Sequence, residues 1–478
     1  MNFHNVKEKF RVIDQRGLSK DTVLTMRLLI VAVMGGMVWA NVTNGIAFTG
    51  YWKELGVSDT VYGVILALPS ITNAFQFIAS YYMEKTRARK KIFIVTGLVQ
   101  RVAWIPFALV PYVIPMGTAH LRMWIAGLLV FASAAMMPFM NVSFFSICDD
   151  VIPIKIRGSY FAARSRVSTV TALVVGILIG MLLDAMPGMP GYSAAFLIAG
   201  VMGTLDICCF IFMSLPPMRE TPKRNPMLSM VKTVLADKKY MRVVTLSTFW
   251  IFAVMLCAPY FNVYMQGNMK MTSLQITLYT QIANNLALIL VVTRWGRALD
   301  RFGSKPIIMV GGFFVAIMPI FWLVIGVGDY MPVILLNMLS GATWCAYDLG
   351  AQNLFMGQAQ GENKSMYFAV YFMFTQLLGS AFGSFAGGWL LDNALIRLEP
   401  LNLVLMGWRL TRYNYLFLLS GLLRLAVLFV FVPRVIEAGA ASAREFLGDM
   451  GKSVGNARTR LLKQLVRRRI RGRMKGND

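Results

Sequence analysis

The chain has 478 residues, of which 57% are hydrophobic and only 14% charged, with a formal net charge of +25 at pH 7. So much apolar surface exceeds what a water-soluble fold of this size can cover with polar groups, so the composition excludes a soluble globular protein and calls for lipid as solvent. The positive charge does not mark a nucleic-acid binder, because the bases stand between apolar runs and form no patch on a polar domain.

Residues 1–22 are polar and mixed in charge, with no short apolar stretch leading to a small-residue cleavage site, so the first apolar run is expected to act as the targeting signal. Crossing about 30 Å of hydrocarbon takes about 20 mostly apolar residues whose backbone groups pair within the segment. Runs that meet this rule cover residues 23–51, 60–83, 92–113, 122–147, 160–183 and 192–215. Residues 216–242 then form a linker that opens with Pro216, Pro217, Pro222 and Pro226 and is rich in bases, a composition that cannot insert. Within it, residues 227–235 have the pattern of an amphipathic turn lying on the membrane surface. Six more runs follow at 243–265, 274–293, 306–327, 331–354, 366–391 and 413–432, leaving 434–478 as a basic tail. The expected fold is an all-α membrane protein of twelve transmembrane helices in two six-helix pseudo-repeats, 23–215 and 243–433.

Basic residues resist translocation and collect in cytoplasmic loops. Between runs, the odd-numbered loops carry only Lys53, Arg122, Lys270, Arg397, Arg409 and Arg412, whereas the N-terminus, the even-numbered loops and the tail are crowded with bases. Both termini are therefore expected on the cytoplasmic side of a cytoplasmic membrane. The halves also repeat in sequence. Tyr160-Phe161-Ala162 with Gly176, Gly180 and Leu183 recurs as Tyr367-Phe368-Ala369 with Gly383, Gly387 and Leu390 at one constant offset. Tyr192, Phe196, Leu197 and Gly200 recur likewise as Tyr413, Phe417, Leu418 and Gly421. Such duplications build transporters around a central site.

The loop after the eighth run reads Gly296-Arg297-Ala298-Leu299-Asp300-Arg301-Phe302-Gly303-Ser304-Lys305. It resembles the loop signature of the major facilitator superfamily, and the resemblance extends over roughly residues 20–435. It implies a secondary transporter of two six-helix halves, in which this loop holds one alternating state closed from the cytoplasmic side. Physically, Gly296 permits close approach of helix ends, Asp300 can cap a helix or pair with a base, and Gly303 permits the turn beside Arg301 and Lys305. The first-half counterpart, residues 83–91, keeps the bases but has neither the glycine nor the Asp-Arg pair. The loop after the fourth run, from Asp149 and Asp150 through Pro153 to Arg157, Gly158 and Tyr160, is similar to the pattern of a little-characterised bacterial branch of that superfamily, as is Glu362-Asn363-Lys364. Asp149 and Asp150 with Arg157, Arg164 and Arg166 can form a salt-bridge cluster that breaks and reforms as the halves rock. The alternative is an exposed loop pair worth under about 1 kcal/mol.

Several chemistries find no support. No glycine-rich loop ends in Gly-Lys-Ser or Gly-Lys-Thr, so ATP-driven transport within this chain is not expected. His4 and His120 are the only histidines, and the five cysteines have neither metal-ligand nor disulfide-framework spacing. An enzyme, a metal centre and a bound cofactor are all unexpected. What remains is polar chemistry inside the spans, where desolvation makes each such group a candidate. In the family arrangement spans one, four, seven and ten line a central cavity. They supply Asn41 and Asn44; Asn141 and Ser143; Tyr260, Asn262 and Tyr264; and Trp344, Tyr347 and Asp348. Asn73, Gln76, Gln281, Asn284, Asn285 and Gln376 flank them. Amides and aromatics suit a neutral or weakly charged small-molecule substrate, although such amides also join helices at about 0.6 kcal/mol each.

Asp348 matches Asn141 at the repeat offset, so an acid replaces an amide at one of two equivalent places. It is the expected proton-coupling residue, or the counter-charge of a cationic substrate. Arg101 and Asp206 are expected at similar depth as an ion pair, while Arg424 has no partner legible in the sequence. In the tail, Arg458 to Lys475 alternates bases with Leu461, Leu462, Leu465, Val466 and Ile470 at helical spacing, the pattern of a surface helix on anionic membrane lipid or a contact for an acidic partner. The functional expectation is a secondary transporter; a membrane scaffold or assembly factor, or a receptor that does not transport, are the rivals.

Overall fold

The computed structural model describes residues 20–449 apart from 87, 116–117, 154–155, 214–226, 359–363, 406, 438, 443 and 447. The N-terminal residues around His4, part of the linker, Glu362 and Asn363, and the Arg458–Lys475 stretch lie outside the described residues, as do the side chains of Asp149 and Arg157.

With no water to pair the backbone in hydrocarbon, each apolar run satisfies its amides as helix. The first run forms α1 (Lys20–Asn44) and α2 (Ile46–Glu54), interrupted at Gly45. The second forms α3 (Asp59–Thr72) and α4 (Gln76–Thr86), joined by a tighter turn at 73–75 that follows Pro69. The third forms α5 (Arg89–Val102) and α6 (Trp104–Val113), and the next three form α7 (Ala119–Val151), α8 (Arg157–Ala185) and α9 (Met189–Cys209). The linker contains α10 (Met227–Ala236). In the second half come α11 (Lys238–Met255) and α12 (Tyr260–Gly267), separated by a turn that includes Pro259, then α13 (Ser273–Ile276) and α14 (Ala283–Phe302), bridged by a π-helical stretch at Thr277–Ile282. α15 (Ser304–Phe321), α16 (Tyr330–Gln358), α17 (Lys364–Met373), α18 (Phe382–Trp389) and α19 (Arg412–Phe431) complete the chain, with a two-stranded hairpin, β1 (Val404–Leu405) and β2 (Trp408–Arg409), before α19. Helix thus lies over every predicted run, and among the described residues ten segments are long and apolar enough to cross a membrane. The 59–86 and 330–358 segments are not among those ten, and the latter carries Asn337, Ser340, Thr343, Trp344, Tyr347 and Asp348.

One predicted feature of the chain's connecting parts takes a different form. The linker turn is a helix whose Val234 is fully buried and packs with Tyr240 and Met366 of the second half, because an apolar stripe finds protein to cover it. The first part of the basic tail is also docked: Phe446 is buried against Trp295, Phe302, Ile307 and Ala346.

The packing has a telling distribution. One large apolar core joins both halves, from Phe48, Tyr62, Phe107 and Phe196 to Leu256, Tyr260, Leu391 and Phe417. Two further cores each stay within one half: Met26, Phe93, Ile147, Tyr160 and Phe210 in the first, and Tyr240, Trp250, Val315, Tyr347 and Leu428 in the second. The shared core lies toward the odd-numbered loops and the separate ones toward the basic, even-numbered loops.

A candidate pathway open on the basic face

Contacts between the halves concentrate where the cores are fused. Asp59, with a fully buried side chain at the start of α3, pairs with Lys53 of the first half and with Arg412 of the second at 3.1 Å, and accepts a hydrogen bond from the Tyr413 hydroxyl at 3.0 Å. Asp392 accepts from the Thr60 amide and hydroxyl, both at 2.7 Å, and lies 3.5 Å from Arg412. Asp184 at the end of α8 accepts from the amides of Ser273 and Leu274 at 2.8 and 3.1 Å. Closer to the middle, Ser70 meets Ser380 at 2.9 Å and Gln376 at 3.3 Å. The bonds to Asp59, Asp392 and Asp184 are charge-assisted, the stronger class, and here they seal one end of the seam. Sequence reading missed the cluster, since Asp59 and Thr60 meet their second-half partners across more than 300 residues; the one signal was that Lys53 and Arg412 are among the few bases of the odd loops.

On the basic face the described contacts stay within halves. Arg89 pairs with Asp150 and donates to the Ser146 carbonyl, so the predicted loop acid binds its own half. Arg164 lies over the Phe144 ring at 4.9 Å. In the second half, Gly303 adopts φ +82°, a left-handed conformation that a side chain would strain, and ends α14. The amides of Ser304 and Lys305, at the positive start of α15, donate to the two carboxylate oxygens of Glu437 at 2.8 and 2.7 Å. Lys305 donates to the carbonyls of Pro433 and Val435, and Arg301 pairs with Asp449 at 3.1 Å. Pro433, Val435, Glu437 and Asp449 therefore strap the loop to its own half. Asp300 is exposed, and a side chain at Gly296 would meet nothing within 4 Å, so in this state the glycine makes no close approach.

The predicted cavity residues divide into two groups. Asn41 donates to the Met37 carbonyl at 3.0 Å and Asn44 to that of Ala40 at 3.1 Å. The side-chain oxygens of Asn41 and Gln281 both converge on Gly176, so amides of the first and eighth spans meet at the seam. Asn141 is half-buried. Asn262 and Trp344 line a cavity of about 230 Å³ inside the second half, together with Asn337, Ser340, Thr280 and Arg424. Asp348 is exposed and, among the described residues, has no hydrogen-bond or ion-pair partner; one helical turn from Trp344, it continues the Ser340-Trp344 stripe. The other group turns away. Tyr260 is buried in the seal, donating to the carbonyls of Ser384 at 2.9 Å and Asp59 at 3.3 Å. Tyr264 is buried and donates to the Ile325 carbonyl, and Tyr347 is buried with its ring stacked on Trp250 at 4.2 Å. The predicted Arg101–Asp206 pair is present at 3.3 Å, with the guanidinium 3.7 Å from the centre of the Trp39 ring.

A family model for the Major Facilitator Superfamily matches residues 28–294. Among solved structures, a mutant of the nucleoside transporter NupG aligns with a TM-score of 0.66 at 11% identity, over 86% of this chain and 99% of its own. A bacterial homologue of the human lysosomal transporter Spinster, in an inward-facing and occupied conformation, aligns with 0.65 at 13% identity over 89% and 100%. A D-xylose-proton symporter aligns with 0.60 at 14% identity over 88% and 99%. None of the curated proteins matches the chain.

Proposed function

The chain belongs to the major facilitator superfamily, and from that premise we propose that it is a secondary transporter moving a small solute by alternating access, with a proton as the coupling ion. One observation carries this reading: the apolar core is continuous between the halves at one end and divided at the other. A scaffold has no need of such asymmetry, whereas a rocking pair of halves must be closed at one end at a time. The positive-inside rule supports assigning the divided end to the cytoplasm, which gives an inward-open state with both termini cytoplasmic in this reading.

Asn41 and Gln281 at the divide, with Asn262, Trp344 and Asp348 of the second half, form the proposed pathway. Asp348 is exposed without a partner among the described residues, so it is free to exchange a proton with solvent on the open side. Sealing that side would desolvate it and make its charge costly, which couples protonation to the conformational change. The related folds transport nucleosides or xylose, but at 11–14% identity they support the fold alone.

The test is a metabolite screen by thermal unfolding of the solubilised protein at two pH values, followed by counterflow of each hit in proteoliposomes. The expected result is a stabilising solute whose proton-driven uptake is lost in Asp348→Asn while counterflow persists. A folded protein that yields hits but no counterflow contradicts transport, and Asp348→Asn with intact gradient-driven uptake contradicts the coupling role.

A further inference from the structure

Each half buries an arginine at a related place. In the first half Arg101 of α5 lies against Gly203 of α9 and is neutralised by Asp206. The glycine contacts give the correspondence between halves: Gly97 packs on Ile207 and Gly200 on Ile105, as Gly312 packs on Leu428 and Gly421 on Ile320. On that alignment Gly203 corresponds to Arg424, Arg101 to Ala316 and Asp206 to Val427. The second half keeps a guanidinium, moved to the neighbouring helix, and lacks the acid.

Arg424 is 3% exposed. Its Nη1 donates to the Val315 carbonyl at 3.1 Å, and its Nη2 to Cys257 Sγ at 3.1 Å and the Val254 carbonyl at 3.5 Å. Its Nε has no partner, and among the described residues no carboxylate pairs with it. The same side chain lines the 230 Å³ cavity, whose other polar groups are Asn262, Thr280, Asn337, Ser340 and Trp344. A charge held in an apolar interior is costly unless a counter-ion and hydrogen bonds satisfy it. Carbonyls and a thiol supply bonds to Arg424 but no neutralising carboxylate.

We propose that this cavity is an anion site for a small monocarboxylate with an aromatic or alkyl body. The carboxylate supplies the missing counter-charge to Arg424, Asn262 and Asn337 offer amide donors, and Phe261, Trp322 and Trp344 cover the apolar part. One guanidinium in an otherwise uncharged lining favours a single negative charge over a di-anion such as phosphate. The carboxylate is cargo if the transporter reading holds, and only its role as cargo rests on that reading.

The experiment measures thermal unfolding of the full chain in detergent with 3-phenylpropionate, against 3-phenylpropionamide and sodium chloride at equal ionic strength. The carboxylate is expected to raise the midpoint in a concentration-dependent way, by about 4 °C at roughly a hundredfold excess over its Kd, while the amide and chloride do not. Arg424→Gln is expected to abolish the response. Val427→Asp places an acid one helical turn from Arg424, where it supplies an internal counter-ion; that variant is expected to fold and to lose the response, and it decides the matter if Arg424→Gln does not fold. Equal shifts with acid and amide, no shift at all, or a shift that survives in Val427→Asp would overturn the site. Binding without counterflow removes transport and keeps the site, whereas transport of another solute with no carboxylate response removes the site alone.

Discussion

Arg101 and Asp206 illustrate what a single intramembrane pair does. Each side chain is 9% exposed, and the guanidinium also stacks on Trp39, so both charges are satisfied inside one half. Removing one partner leaves the other charge buried and uncompensated, a loss of about 3–5 kcal/mol. Asp206→Asn should therefore sharply lower the denaturation temperature, and exchanging the two residues should recover part of the loss; equal stability of the single variant would show that the pair carries no weight. Sequence depth sufficed to match these two residues because both lie mid-span with no other opposite charge near. It did not suffice for Tyr260, Tyr264 and Tyr347, which sit on spans expected to line a cavity but turn their rings into protein: span number gives a helix, and only packing gives the face.

At the scale of elements, the interlock of α3 with α18 holds the sealed end. A side-chain carbon at Gly63 would stand 2.5 Å from the Ser384 carbonyl and 2.8 Å from the Tyr260 hydroxyl. Gly63→Leu must push the halves apart there, so it should raise the labelling rate of a cysteine placed at Thr60 by an impermeant maleimide; an unchanged rate would mean that the interlock gives without opening. Arg412→Gln should act in the same direction, since Asp59 and Asp392 then lose their shared cation. The strap is separable from this. Phe446 is 4% exposed, and Phe446→Ala should cost about 3 kcal/mol of local docking, detected as faster proteolysis near residue 440 with the Gly63 region unaffected.

Helix existence was legible from apolar length alone. The interruptions at Gly45, at Ala103, around Pro259 and through the π-helical stretches were not, because they depend on what each helix packs against. The docking of the strap was not legible either, because it rests on a single phenylalanine and on the acids Glu437 and Asp449, whose partners lie more than 130 residues away in the sequence.

For the whole molecule, the asymmetry of the core is the central observation. Two six-helix halves repeated in the same orientation face each other with corresponding segments at each end of the seam, so rocking one against the other can close either end. In this state the far end is joined by the Asp59 and Asp392 clusters, while the even-loop end leaves each half with its own core and its own ion pairs. The two-state reading requires that the loops now satisfied within halves, Arg89 with Asp150 and Arg301 with Asp449, exchange partners when that end closes.

The most direct test is the distance between spin labels on the full chain, with native cysteines replaced. One pair, Tyr82 and Met356, reports the basic face, and another, Val113 and Val327, reports the far face; all four positions are exposed. Alternating access predicts two populations in each pair, with the basic-face distance shortening as the far-face distance lengthens when pH or a stabilising solute is changed. A single unshifted distance in both pairs, under conditions where the protein is folded and binds that solute, would contradict the account.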